Sequence, residues 1–404
     1  METANHISTI SSKENARKKV AAINDILFTS SAYHHGFLGG NIGLLYYYYN
    51  AYKILHAADM LQKAEELLAR VFEDINESGK GLVGASLSNG AAGFAYAVNR
   101  LQQDGFIDFD IETEFADLDK FLHDAAMELL QKDEIDYLHG SLGTLHYFTE
   151  RSITSPAVKE YIISLTTAVC KKAIINENGI WFINHSIERL KAPDTADLGL
   201  AHGLAGMLMI LMKTWPFLND RQLLEKTIKS GIDFILSNQI PTDAAEEEFS
   251  MFPASVNTAS NQISSINRLA WCYGDLNVVL LLYRAGQLFL NSSYTAKADE
   301  VGFKTLERDT AKSTMCIDSH FCHGTAGLAQ FYLCLYNESG HFCYYRAYEF
   351  WIEKTIRLLD NEITKNAYSA NPVGILEGWP GVAMVLTEYI NEGEPLKWAN
   401  AFLL

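Results

Sequence analysis

A Gly-x-x-Gly step leading into an apolar run recurs along this chain, and that recurrence limits the possible folds more than any other feature. It reads Gly-Asn-Ile-Gly-Leu-Leu-Tyr at Gly40 and Gly-Ala-Ala-Gly-Phe-Ala-Tyr at Gly90. It returns at Gly140, Gly203, Gly324 and Gly378, and an imperfect copy at Gly274 carries Asn277 where the second glycine belongs. The first glycines are separated by 50, 50, 63, 71, 50 and 54 residues.

Ahead of each glycine step lies a second kind of segment, with apolar residues at i, i+3, i+4 and i+7 and charges between them. Ser12 to Leu27, His56 to Phe72, Glu114 to Leu130, Ala157 to Ala173, Asp220 to Leu236 and Cys343 to Leu359 are examples. The segments after the glycines are apolar nearly all round, which predicts buried helices. The expected fold is therefore all-α, an α/α toroid of seven inner and seven outer helices forming a single domain over residues 1–404. Only Val83 to Leu87 and Gly179 to Ile183 read as short strands. The two longer intervals predict loops, at Ile183 to Asp197 and Ile240 to Asn267.

Glycine at each inner-helix start permits close backbone approach and positive φ in the preceding turn. Asn277 is then tolerable, because Asn best replaces Gly at positive φ. The loops before the inner helices are expected to open at one end of the barrel, where a site should form.

At 404 residues, 48% hydrophobic and 12% aromatic, the chain can bury a large core. Its net charge of −17 argues against nucleic acid, whose phosphates require basic patches, and suits a soluble acidic surface. The polar stretch Met1 to Lys19 lacks a signal-peptide core, and the run from Met207 to Leu218 is broken by Lys213 and too short to span a bilayer. A cytoplasmic protein without transmembrane segments is expected. The six cysteines lack disulfide-framework spacing, so reduced thiols are expected, with Cys170 and Cys334 as core residues.

The polar residues beside the glycines differ from copy to copy, as they would if each contributed one part to a common centre. The third copy gives Asp136 and His139, the fourth Asp197 and His202, and the fifth Arg268, Trp271, Cys272 and Tyr273. The sixth gives His320, Cys322 and His323, and the seventh Glu377 and Trp379. Cys272 and Cys322 fall at the same phase of adjacent repeats, and with His323 they make a Cys₂His set suited to zinc with an open fourth position. Two core cysteines and a hydrogen-bonded histidine are the alternative. Two thiolates balance the charge of Zn²⁺ and leave an incoming thiol nucleophilic, which points to thiol activation. His202 is suited to exchanging a proton with substrate. Asp136 could orient it, and Arg268 could hold anionic groups or pair with Asp136. Trp271 and Tyr273 read as wall residues, while His34, His35, His139 and His320 read as scaffold.

Trp271-Cys272-Tyr273-Gly274, Cys322-His323-Gly324-Thr325-Ala326-Gly327 and Ala201-His202-Gly203-Leu204-Ala205-Gly206, with Arg268 four residues before Cys272, resemble the hallmark motifs of the lanthionine synthetase C family. The likeness runs through all seven repeats. It implies an α/α toroid binding zinc through Cys272, Cys322 and His323. It implies addition of peptide cysteine thiols across dehydroalanine or dehydrobutyrine, with His202 as acid/base and Asp136 and Arg268 assisting. It further implies a dehydrated precursor peptide (leader plus core) as substrate, with a separate dehydratase and an export transporter as partners. Asp275-Leu276-Asn277 departs from the family's usual Pro-Gly at this turn.

Two other readings stay open at this level. One is addition of a small thiol such as glutathione to dehydroamino acids in proteins. The other is a non-catalytic peptide-binding toroid whose zinc is closed by a fourth ligand, with Cys316 or His320 the nearest candidates. A glycosidase would need paired carboxylates, for which Asp136, Asp197 and Glu377 are available.

Overall fold

The computed structural model describes residues 2–78, 81–151, 155–187, 194–391, 393 and 395–404. Fourteen helices of ten residues or more occur among the described residues, and they alternate in kind. The two-faced set is α1 (Glu2–Leu27), α3 (Ala58–Ser78), α5 (Ala116–Gln131), α7 (Pro156–Lys171), α9 (Gln222–Ser237), α11 (Ser292–Thr305) and α13 (Phe342–Lys365). The buried set is α2 (Asn41–Leu55), α4 (Ala91–Gln103), α6 (Ser141–Glu150), α8 (Leu204–Lys213), α10 (Asp275–Phe289), α12 (Thr325–Ser339) and α14 (Trp379–Ile390).

The two kinds differ because of where their apolar residues fall. In α9 the buried residues are Leu224, Thr227, Ile228, Gly231, Ile232 and Ile235, one stripe of a 3.6-residue period, with Phe234 beside it. In α8 every residue from Leu204 to Met212 is buried. Each large apolar side chain so removed from water contributes about 1.5–3 kcal/mol before chain entropy is subtracted.

The chain divides into two compact units, residues 1–82 with 316–404 and residues 83–315. In the first, α14 packs against both α2 and α12, and α1, α3 and α13 pack on these buried helices. In the second, α4, α6, α8 and α10 follow one another as packed neighbours, backed by α5, α7, α9 and α11.

The glycines before the buried helices are there for space. Gly40, Gly90, Gly140, Gly203, Gly324 and Gly378 are helix N-caps in extended conformation at negative φ, which any residue could adopt. A Cβ on any of them would lie 2.3–2.5 Å from a neighbouring atom, mostly loop backbone. The second glycines are tighter: a Cβ on Gly43, Gly143, Gly206, Gly327 or Gly381 would sit 1.7–2.6 Å from the carbonyl oxygen six residues earlier.

The fifth copy inverts the expectation for Asn277. Asn277 lies inside α10 without positive φ. Its Oδ1 accepts the Leu200 N–H at 3.2 Å, and its Nδ2 donates to Trp271 O at 3.0 Å. Positive φ belongs instead to Gly274 (φ 117°), where a Cβ would meet Arg268 O at 2.3 Å. Asp275 follows, fully buried, and accepts the N–H groups of Met251 and Phe252 at 3.0 Å each and Arg308 Nη1 at 2.5 Å. The unusual Asp-Leu-Asn sequence thus anchors the long preceding loop.

Strands are short. β1 (Ile174–Asn176) pairs antiparallel with β2 (Gly179–Trp181), meeting the expectation for that stretch. Residues 83–87 are turn and not strand: Val83 is exposed and Gly84 has φ 68°. β3 (Thr195–Asp197), β4 (Ser255–Asn257) and β5 (Ile263–Ser264) form an antiparallel sheet inside the two intervals expected as loops. Two or three residues are too few to register as alternation. Part of the first interval, residues 188–193, lies outside the described residues.

Candidate active site and metal centre

Asp136 is the anchor of a polar cluster in the second unit. It stands four residues before Gly140 and is fully buried. Its Oδ1 accepts the N–H groups of His139 at 2.7 Å and Gly140 at 3.3 Å, folding the loop into the start of α6. Its Oδ2 lies 2.8 Å from His202 Nδ1. Burial pushes the carboxyl upward, but the bond and charge of His202 and the His139 N–H outweigh it and hold it below 3.8. Asp136 is therefore ionised at neutral pH and can only accept hydrogen bonds. His202 must then carry hydrogen on Nδ1, which leaves Nε2 as the basic nitrogen of the neutral ring. No protein hydrogen-bond partner of Nε2 occurs among the described residues.

Two residues given no role on sequence grounds, Asn184 and Ser186, complete this cluster with His139, which the sequence reads as scaffold. Asn184 Nδ2 donates to His202 O at 2.9 Å, and its Oδ1 accepts from Ser186 Oγ at 2.6 Å and Ile135 N at 3.3 Å. Ser186 Oγ accepts the Asp136 N–H at 3.2 Å. His139 lies with its ring within 10° of parallel to His202, centroids 5.5 Å apart. Asn184 and Ser186 follow β2, outside any repeat, so no spacing marks them.

Cys272 stands two residues before Gly274 and is 4% exposed. Its carbonyl accepts the Leu200 N–H at 3.0 Å, tying its loop to the one that ends in His202. Gly199 makes this approach possible, since a Cβ there would lie 2.6 Å from Cys272 O. Trp271 is buried edge-on against Tyr137, as a wall residue. Arg268 makes no ion pair with Asp136, whose oxygens are taken by His202 and backbone N–H groups, and its buried Nε has no hydrogen-bond partner among the described residues. Asp197 is used locally: Oδ1 accepts the Gly199 N–H at 2.8 Å.

In the first unit, Cys322 stands two residues before Gly324 and His323 one, both half-buried. Cys322 N donates to Leu376 O at 2.8 Å. The His323 ring meets His320 edge-on at 4.1 Å, and the His320 Nε2 is 3.3 Å from Asp318 Oδ1. The loop's base is fastened to α13, where Ser319 N donates to Glu362 Oε1 at 3.0 Å and Tyr368 OH donates to Oε2 at 3.2 Å. Burial raises the Glu362 carboxyl above its ordinary value.

All six cysteines are thiols. Cys272 in the second unit and Cys322 and His323 in the first supply two thiols and an imidazole, each one or two residues before the glycine that caps its helix. One zinc ion, about 2.3 Å from sulfur and about 2.0 Å from nitrogen, fits such a donor set.

The fold is that of a known cyclase. A solved structure named nisin cyclase superposes with a TM-score of 0.74 at 19% identity, covering 97% of each chain, so this is an α/α toroid. Residues 31–403 match the family described as Lanthionine synthetase C-like protein, and the chain belongs to that family. The nisin biosynthesis protein NisC of Lactococcus lactis subsp. lactis is 23% identical over 361 residues, spanning 80% of this chain and 78% of the relative. No helix among the described residues is long and apolar enough to cross a membrane.

Proposed function

We propose that this chain is a zinc-dependent lanthionine cyclase that adds cysteine thiols of a dehydrated precursor peptide to its dehydroalanine or dehydrobutyrine residues. The observation that carries the reading is a Cys₂His set, Cys272, Cys322 and His323, placed one or two residues before repeat glycines in a member of the lanthionine synthetase C-like family. The names of its relatives, a nisin cyclase and a nisin biosynthesis protein, support the substrate class.

Cys272, Cys322 and His323 would hold the ion. Bound there, zinc supplies the positive charge that lets a thiol, whose free pKa is about 8.5, ionise near neutrality. His202 Nε2 accepts the proton leaving the substrate sulfur. The sulfur forms a bond to the β-carbon, the carbon–carbon π bond breaks, and charge collects on the enolate. His202, now protonated on both nitrogens, returns the proton to the α-carbon. Nothing leaves, so product and substrate have equal mass. Asp136 holds the His202 ring and offsets its positive charge, and the Arg268 guanidinium is available to anionic groups of the substrate.

The test is metal analysis with a cyclisation assay on a dehydrated peptide, counting thiols lost at constant mass. Wild type should bind one zinc per chain, and Cys322→Ala should lose both metal and ring closure. His202→Ala should keep the metal and slow addition about 10²–10⁴-fold. Zinc lost from the His202 variant, or rings formed by the Cys322 variant, would refute these assignments.

A further inference from the structure

We propose that His139 is a second catalytic imidazole of this site, donating a hydrogen bond from Nε2 to the carbonyl oxygen of the dehydroamino acid under attack; the proposal rests on the cyclase reading above.

His139 stands immediately before the glycine that caps its helix, the register that His202 occupies before Gly203 and His323 before Gly324. Its backbone N–H is bound to Asp136 Oδ1 at 2.7 Å, so the carboxylate that holds the base also fixes the start of this side chain. Its Nδ1 is 2.9 Å from Ser88 Oγ, and Ser88 is only 2% exposed. With the Ser88 hydroxyl donating to Nδ1, the neutral ring carries its hydrogen on Nε2, the nitrogen away from the buried serine.

The two parallel rings, 5.5 Å apart, thus present opposite chemistry. His202 offers a lone pair because an acceptor-only carboxylate takes its N–H. His139 offers an N–H in the tautomer in which the Ser88 hydroxyl donates to its Nδ1. Burial keeps His139 below its ordinary 6.5, helped by the neighbouring His202 and opposed by Asp136, so it is neutral at neutral pH.

Thiol addition to a dehydroamino acid moves electron density from the new carbon–sulfur bond through the breaking π bond onto the carbonyl oxygen. A donor fixed beforehand at that oxygen strengthens as the charge grows, and one such donor is worth about 10²–10³ in rate. A neutral imidazole can polarise a carbonyl without surrendering its proton. No net proton transfer by His139 is needed, since His202 returns to the α-carbon the proton it removed from sulfur.

The test uses zinc-loaded enzyme and a synthetic peptide carrying one dehydroalanine and one cysteine. His139→Leu should lower kcat about 10²-fold with zinc content, KM and melting temperature near wild type. His139→Gln, which keeps an N–H donor, should recover at least about tenfold of that loss. Wild-type kcat in His139→Leu, or equal loss in the Leu and Gln variants, would overturn the proposal. His202→Ala separates the two levels. If it is slow while His139→Leu is normal, only the role of His139 falls. If it cyclises at the wild-type rate, the acid–base reading has failed and this inference with it.

Discussion

His202 and His35 each meet an aspartate across a short bond, 2.8 Å to Asp136 and 2.9 Å to Asp74, yet the two pairs are wetted in opposite ways. In the first the carboxylate is 1% exposed and the imidazole 14%; in the second the imidazole is 5% exposed and the carboxylate 45%. A dry carboxylate keeps most of its field, whereas water screens the other. The remaining ring nitrogens differ as well. His35 Nδ1 is 3.1 Å from Asn41 Nδ2 and its backbone N–H donates to Gly81 O at 2.7 Å, so that histidine is committed to structure. His202 Nε2 has no protein hydrogen-bond partner among the described residues, and the proposed reading gives it to substrate. Similar pairs therefore do different work, and the side facing water decides which.

The sharpest way to break this contrast is kinetic. Asp136→Asn should lower cyclisation about 10³–10⁴-fold with zinc retained, because an amide can donate to Nδ1 and invert the tautomer. Asp74→Asn should stay within about threefold of wild type, as a screened pair should. Equal losses in the two variants would dissolve the distinction. Next in size is Asn184→Ala, which frees the His202 carbonyl and the Asp136 loop. The precedent for such supporting bonds is about 10–100-fold, read as kcat at constant zinc.

Stability sharpens the contrast further. Asp136→Ala leaves several buried donors unpaired and should cost about 3 kcal/mol in chemical unfolding, whereas Asp74→Ala should cost under about 1 kcal/mol. The smallest effect concerns acid. The folded Asp136 carboxyl titrates below 3.8, so its contribution is complete above that value and is lost as pH falls through the folded one. In Asp136→Asn the decline of stability below about pH 4 should be shallower. An unchanged acid limb would mean that the carboxylate contributes nothing to folding.

The alternation of helices was legible because six of the seven buried helices open on two glycines, at most of them for steric reasons local to the helix's own loop. The carbonyl six residues earlier leaves no room for a Cβ at the second. Cys272, Cys322 and His202 were legible for the same reason, being counted from those glycines. Asp136 was readable too, since its side chain closes a turn onto His139 and Gly140, a bond that fixes its spacing. Asn277 was rightly tolerated but for the wrong cause: it hydrogen-bonds two loops together, while the strained φ sits at Gly274. Asn184 and Ser186 were invisible, because they reach Asp136 from a segment with no repeat and roughly 50 residues away.

The contact at Gly199 has a consequence for substitution there. A single added methyl would wedge the peptide leading to His202 off the peptide carrying Cys272, since only 2.6 Å separates that position from the Cys272 carbonyl. Under the proposed reading, a side chain at Gly199 would disturb the proton acceptor and the sulfur ligand together.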